Sequence, residues 1–383
     1  MEYRRIGDYI KEVDSRNRDL KITKLVGLTI NKAFIPSVAN VIGTDLSSYK
    51  VIQKEQFACS LMQVSRDGKM PVAMFEEDEA IMSPAYPMFE VIDKDALLPQ
   101  YLMMWFSRSE FDREASFYAV GGVRGSLTWE DFCNMKLPVP SVDRQREIVE
   151  EYETLSRRIR LNEQMIEKLE ATAQALYRKM FVDGIDKENL PLGWRTTTIK
   201  DFCKYMTSGG TPLRTINEYW NKKDYRWLKT GEVHNNVILD TEEYISQEGL
   251  NNSSAKLIPK GSVSLAMYCA NGVTGGQVAY LDCDTTTNQA CCNMICHSKN
   301  DAAYLFFYFL NYQEVIKRNA NGAAQANLSQ EIIAAQEIIQ FCDEDLKIPF
   351  VEILDKLTIC YKIIKNAKEL QSLLLAKMGN LKQ

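Results

Sequence analysis

From Asp143 to Phe181 the chain runs without a proline or a glycine. Within that run Ile148, Tyr152, Leu155, Ile159, Asn162, Ile166, Leu169, Ala173, Leu176 and Met180 recur in steps that alternate four and three. That is the period of a coiled-coil seam. The remaining positions carry Arg, Lys, Glu and Gln, as a solvated helix requires. At roughly 1.5 Å per residue the helix is about 55 Å long. A narrow apolar seam on a long helix needs a partner, and the end of the chain offers one. Phe350, Ile353, Leu357, Cys360, Ile364, Ala367, Gln371, Leu374, Met378 and Leu381 keep the same alternation. Each seam holds one amide, Asn162 or Gln371, and a polar seam residue fixes register at some cost in stability. Two amphipathic helices within a globular core would give a similar pattern. The length of both helices and the placing of the second favour a coiled coil.

Two globular blocks alternate with these helices. The spacing divides the chain into residues 1–142, a helix over 143–181, a linker over 182–194, a second block over 195–342 and a helix over 343–383. Pro138 and Pro140 set a boundary before the first helix. In the first block KLVGLTI and YKVI read as strands and YLMMWFSRSEF as a helix. In the second, SVSLAMYC and QVAYL read as strands and AAYLFFYFLNYQEVIKR as a helix. The halves echo one another. Ile6-Gly7-Asp8-Tyr9 matches Ile199-Lys200-Asp201-Phe202, and Gly122 and Leu127 match Gly322 and Leu328, each pair ahead of a long helix. A repeated frame with divergent blocks suggests two readers of different things.

Composition narrows the class. No run of 18 apolar residues is present, which excludes a helix across a membrane. The segment MEYRRIGDYIKEV has no apolar stretch, so no secretion signal is expected. Ten cysteines in that setting imply reduced thiols and a cytoplasmic location. The net charge of −5 argues against a coat of basic residues but leaves room for local basic grooves.

A search for catalysis yields little. There are two histidines, His234 and His297, and no G-x-S-x-G elbow, P-loop or dinucleotide fingerprint. Ser83-Pro84-Ala85-Tyr86 resembles the (Asp/Asn/Ser)-Pro-Pro-(Tyr/Phe) motif of amino-methyltransferases, which holds a flipped base. Here the second proline is alanine and no Gly-rich cofactor loop accompanies it, so a turn into a strand is the better reading. Cys269, Cys283, Cys291, Cys292 and Cys296, with His297, lack paired metal-ligand spacing and read as packing thiols, so no metal is expected.

Nucleic-acid chemistry is better represented. The segment 219–229, from Tyr219 through Trp220, Lys222, Lys223, Arg226 and Trp227 to Lys229, interleaves cations with aromatic rings. Such cations neutralise phosphates, the sequence-independent part of DNA affinity. A surface loop with two core tryptophans is the competing reading. Lys32, Arg66, Lys69, Arg124, Thr211, Arg214, Asn271, Asn288, Gln289, Gln325 and Asn327 sit in or near loops and complete the candidates, since Arg reads guanine and Asn or Gln reads adenine.

On these residues the chain resembles the specificity (S) subunit of a type I restriction–modification system, over essentially its whole length. The second half carries Ser208-Gly209-Gly210-Thr211-Pro212, Tyr219-Trp220, Trp227-Leu228-Lys229-Thr230-Gly231-Glu232, Ser253-Ser254-Ala255-Lys256-Leu257-Ile258-Pro259-Lys260-Gly261-Ser262-Val263 and Thr287-Asn288-Gln289. The first half carries Leu28-Thr29-Ile30-Asn31-Lys32-Ala33-Phe34-Ile35, the Ser83 turn, and Leu137-Pro138-Val139-Pro140 followed by Gln145. It lacks the Gly-Gly-Thr-Pro pattern, and the second helix lacks the Pro-x-x-x-Gln entry.

The resemblance implies an α+β chain. Two target recognition domains are separated by a long antiparallel two-helix coiled coil, in a pseudo-two-fold repeat. Each domain would read half of a split target in double-stranded DNA. Two modification (M) subunits would bring S-adenosylmethionine and methylate adenine, and restriction (R) subunits would join them. This chain would bind no cofactor and catalyse nothing. The rival readings are a single-chain DNA adenine methyltransferase and a coiled-coil adaptor that binds no DNA.

Overall fold

The computed structural model describes residues 3–37, 43–62, 64–120, 125–267, 275–318 and 328–379. It forms two compact units, Met1–Arg158 with Asn366–Gln383, and Ile159–Lys365. The division runs through both long helices, Val142–Phe181 and Ile348–Met378, because each half of the helix pair packs on its own globular fold.

The first unit is built on a four-stranded antiparallel sheet. Its strand order is Ile10–Glu12, Met88–Val91, Phe57–Cys59, Val72–Met74. A separate pair, Tyr3–Arg5 with Lys136–Pro138, closes the fold just before the long helix. Phe57, Phe89, Phe106, Phe111 and Phe132 fill the core, joined by Ile148 and Val149 of the first long helix and Met378 of the second. The segment expected as one helix is two, Pro99–Phe106 and Ser109–Ala119. The break falls at Ser107-Arg108. Arg108 is 6% exposed, stacks 4.1 Å over Trp105 and donates to the Leu375 carbonyl at 2.9 Å. A buried guanidinium needs such acceptors, and a continued helix would turn it away from them.

The second unit repeats the topology. Its sheet runs Tyr205–Ser208, Cys291–Ile295, Val263–Ala266, Val278–Leu281, with Asn236–Ile238 added in parallel at the edge. Trp194–Thr198 pairs with Glu337–Phe341 before the second long helix, as Tyr3–Arg5 pairs with Lys136–Pro138. The sequence echo has a structural cause. Ile6–Asp8 and Ile199–Phe202 are both the short helix that follows the first strand of their unit. Leu127 donates its amide to the Leu61 carbonyl, and Leu328 to the Met267 carbonyl, each at 2.9 Å. Gly122 and Gly322 lie outside the described residues.

The entries to the long helices are held differently. Gln145 is fully buried: its amide oxygen accepts from the Leu98 amide at 2.8 Å, and its nitrogen donates to the Ala96 and Pro140 carbonyls at 2.9 Å. At the second helix a buried ion pair replaces that amide. Lys347, 2% exposed, lies 2.5 Å from Asp301 and 2.7 Å from Glu344. Both arrangements tie the start of a long helix to the beginning of a domain helix or the loop ahead of it.

The first seam is followed over most of its length. Ile148, Ile159, Ile166 and Ala173 are buried, and Tyr152, Leu155, Asn162 and Leu169 are half-buried. Toward the end the buried face moves on by one residue. Tyr177 and Phe181 are 2% exposed, whereas Leu176 and Met180 are only half-buried. An α-helix of 3.6 residues per turn drifts against a strict heptad repeat. The second unit takes up the drift with an aromatic pocket. Phe181 stacks on Phe341 at 5.1 Å and meets Tyr304 at 5.1 Å, and Tyr177 lies 6.1 Å from Phe350. In the second seam Phe350, Ile353, Leu357, Cys360, Ile364, Ala367 and Met378 are buried and Gln371 and Leu374 half-buried. Leu381 lies outside the described residues. Gln371 donates to Ser156 Oγ at 2.7 Å across the first unit's helix pair.

Candidate nucleic-acid interface

In the second unit the scattered motifs meet. Gly209 and Gly210 pass directly beneath the strand end Thr286–Thr287. The Gly210 amide donates to the Thr287 carbonyl at 2.8 Å. A Cβ on Gly209 would lie 2.1 Å from that carbonyl oxygen, and one on Gly210 would lie 2.4 Å from the backbone of Ser254. Only glycine allows so close a backbone approach. Trp227, 3% exposed on the strand Tyr225–Leu228, donates its indole N–H to the Gly210 carbonyl at 3.0 Å. Trp220 meets Trp227 edge-on at 5.0 Å, and the Arg214 guanidinium lies 3.6 Å over Trp220. Thr211 donates its hydroxyl to the Gln289 side-chain oxygen, and Asn288 accepts from the Ala290 amide at 3.2 Å. Gly209, Thr211, Arg214, Asn288 and Gln289 thus belong to one cluster around Trp227.

The cations of that cluster are mostly engaged. Arg226 pairs with Asp240 at 2.9 Å, Lys229 with Glu242 at 2.8 Å and Glu243 at 3.0 Å, and Arg214 with Glu243. These partners hold Lys229 above the usual lysine range and Glu243 below the usual carboxylate range. Among the described residues Lys222 and Lys223 make no ion pair; both are exposed, and Lys223 lies 5.0 Å over the Tyr244 ring. Tyr219 is half-buried and its carbonyl accepts from the Ser246 amide at 2.9 Å. Of the candidate cations over 219–229, Arg226 and Lys229 are paired with carboxylates, and Lys222 and Lys223 have no ion pair among the described residues. The acids were missed. The run Asp240-Thr241-Glu242-Glu243 leads into the strand that pairs antiparallel with Tyr225–Leu228, and that cross-strand register was the signal available.

In the first unit Lys32 lies in a buried pair. Its ammonium is 2.8 Å from Asp112 and donates to the Phe106 carbonyl, with the side chain 9% exposed. Burial lowers its pKa, with Asp112 opposing the shift. Asp112 is 9% exposed and needs this counter-charge, so Lys32 is not available to a phosphate. Arg66 is exposed and paired to Asp67 at 2.7 Å, and Lys69 is exposed. Arg124, Asn271, Gln325 and Asn327 lie outside the described residues.

The other candidate residues are packed within their own units. Tyr86 packs against the cluster of Val26, Ile52 and Met82, and its carbonyl accepts from Lys50 at 2.9 Å. Burial pushes the Cys291 thiol up to about 12 and the Cys283 thiol to about 11, and Cys291 and Cys292 are fully buried on the strand Cys291–Ile295. Cys269 lies outside the described residues. No helix among the described residues is long and apolar enough to cross a membrane.

Comparison with known proteins agrees with this architecture. The family model described as "Type I restriction modification DNA specificity domain" matches residues 38–171 and 191–372. The chain is 23% identical to the type I restriction enzyme HindI specificity subunit of Haemophilus influenzae, over 76% of this chain and 79% of that one. It is also 23% identical to the EcoR124I/EcoR124II specificity subunit of Escherichia coli, over 75% of this chain and 72% of that one. The crystal structure of a type I restriction–modification system S subunit from M. genitalium aligns over 100% of this chain and 96% of that one, with a TM-score of 0.57 at 13% identity. The chain belongs to the type I restriction–modification DNA specificity family. Its function is DNA recognition within such a system.

Proposed function

We propose that the chain reads a split target in double-stranded DNA, one half with residues 1–142 and the other with 195–342. The helices over 143–181 and 343–383 and the linker over 182–194 form the frame between them. The observation that carries this reading is the repeat: the same four-strand order and the same backbone tie before each long helix, with different loops on each. Two modification subunits dock on the helices, and restriction subunits join through that assembly. Leu161 on the first long helix and Leu373 on the second are 56% and 57% exposed and are the apolar contacts proposed there. Arg157, Arg158, Glu163 and Glu167 are the polar contacts proposed beside them. The chain itself catalyses nothing and binds no cofactor; S-adenosylmethionine is held by the modification subunits, and the complex works in the cytoplasm.

A methyl-transfer assay tests this. The purified chain with S-adenosylmethionine and duplex DNA should transfer no methyl groups, and adding modification subunits should produce transfer that depends on the chain. Methylation by the chain alone would overturn the proposal.

A further inference from the structure

Three cations of the cluster around Trp227, namely Arg214, Arg226 and Lys229, are held by the protein's own carboxylates. The pairing follows from register. Tyr225–Leu228 runs antiparallel to Glu243–Ile245, with Trp227 opposite Glu243 and Arg226 opposite Tyr244. The acids 240–243 therefore lie beside the cations at 226 and 229, and Glu243 also reaches Arg214. Their solvent exposure differs. The Glu242 side chain is 71% exposed and that of Glu243 31%. Asp240 is more deeply committed, accepting also from the Tyr244 hydroxyl at 2.6 Å and from Lys365 at 2.8 Å.

Ion pairs as exposed as Lys229 with Glu242 contribute little to stability. Their effect on DNA binding is larger. A bare cation that meets a phosphate releases condensed counterions from the duplex, and this drives binding to any sequence. A cation already neutralised by a carboxylate brings no net charge to the duplex and leaves the acid in a field of phosphates. We infer that Glu242 and Glu243 act as specificity determinants: they occupy Lys229 and Arg214 and so suppress the sequence-independent part of DNA binding. This inference rests on the DNA-recognition reading. Only Lys222 and Lys223 among the cations of the 219–229 segment are then open to phosphates without displacing an acid. The same arrangement reconciles a net charge of −5 with a DNA-recognition role.

The test is a salt titration of the full-length chain with short duplex DNA of random sequence, read by fluorescence anisotropy. Glu242→Gln with Glu243→Gln keeps side-chain size and removes both charges. This variant should bind random duplex more tightly, with a log–log salt slope steeper by up to about 0.9 for each cation freed. Adding Lys229→Ala should remove one cation's share of that gain. Lys222→Ala with Lys223→Ala in the wild-type background should make the slope shallower. Glu242→Gln alone, at an exposed position, keeps the test open if the double variant fails to fold, and it should show a smaller steepening. Wild-type binding with an unchanged slope in both Gln variants would overturn the inference and leave DNA recognition standing. So would a gain in affinity that Lys229→Ala does not reduce, since that marks general loosening. Failure of every form to bind duplex would overturn DNA recognition and this inference together.

Discussion

Exchanging residues 195–342 for the corresponding block of another family member should replace one half of the recognised DNA sequence and leave the other half unchanged. The second block has its own five-stranded sheet and its own buried clusters, so it carries what is needed to fold and to present its loops. The exchange must respect three ion pairs to the second long helix: Lys299 with Asp355 at 2.5 Å, Lys362 with Asp282 at 2.7 Å and Lys365 with Asp240 at 2.8 Å. A donor block without carboxylates at 240 and 282 would leave two helix lysines unpaired. Phe341 must also remain aromatic, because Phe181 stacks on it. Each wrong base pair in a specific site costs about 1–3 kcal/mol. Several changed at once should abolish modification at the original half-site. A change in both halves together would contradict independent reading.

Gly209→Ala should cost the second unit its half-site while leaving the first unit's intact. The added methyl would lie 2.1 Å from the Thr287 carbonyl oxygen and 2.5 Å from that of Asn288. Both are backbone atoms, so no side-chain rotation relieves the clash. Overpacking of this kind costs about 1–3 kcal/mol. The strain falls on the junction that seats Thr211 on Gln289 and Trp227 on Gly210. At about 1.4 kcal/mol per tenfold, strain of that size carried into the half-site should lower its affinity by about fivefold to about a hundredfold. Urea unfolding and modification assays on targets altered in one half read the two effects separately. Gly231→Ala is the matched control, since nothing lies within 4 Å of a Cβ there and its φ is not positive. Equal loss of both half-sites in the Gly209 variant, or no loss, would contradict the role given to this junction.

What the sequence disclosed was set by periodicity and by local motifs. The seams are visible because a long helix repeats its environment every turn, and the repeat because Ile6–Asp8 and Ile199–Phe202 keep a helical turn after the same strand. What it hid depended on distant partners. Lys32 looks like a loop cation until Asp112, far along the chain, is found beside it. Arg226 and Lys229 look like free phosphate ligands until the neighbouring strand brings Asp240, Glu242 and Glu243 against them. Leu176 and Met180 satisfy the heptad, yet Tyr177 and Phe181 are buried, because an aromatic pocket and helix drift outweigh a formal repeat. The motif around Gly209 was legible as a string of residues. Its reason, a backbone passing beneath Thr287, needed the fold.

Mapping of modified bases in DNA treated with the complex of this chain and its modification subunits is the sharpest check on split-site reading. One split motif is expected, two short defined half-sites separated by a gap of fixed length and free sequence, with modification that disappears when this chain is omitted. A continuous motif, or methylation of the same sites without this chain, would contradict it.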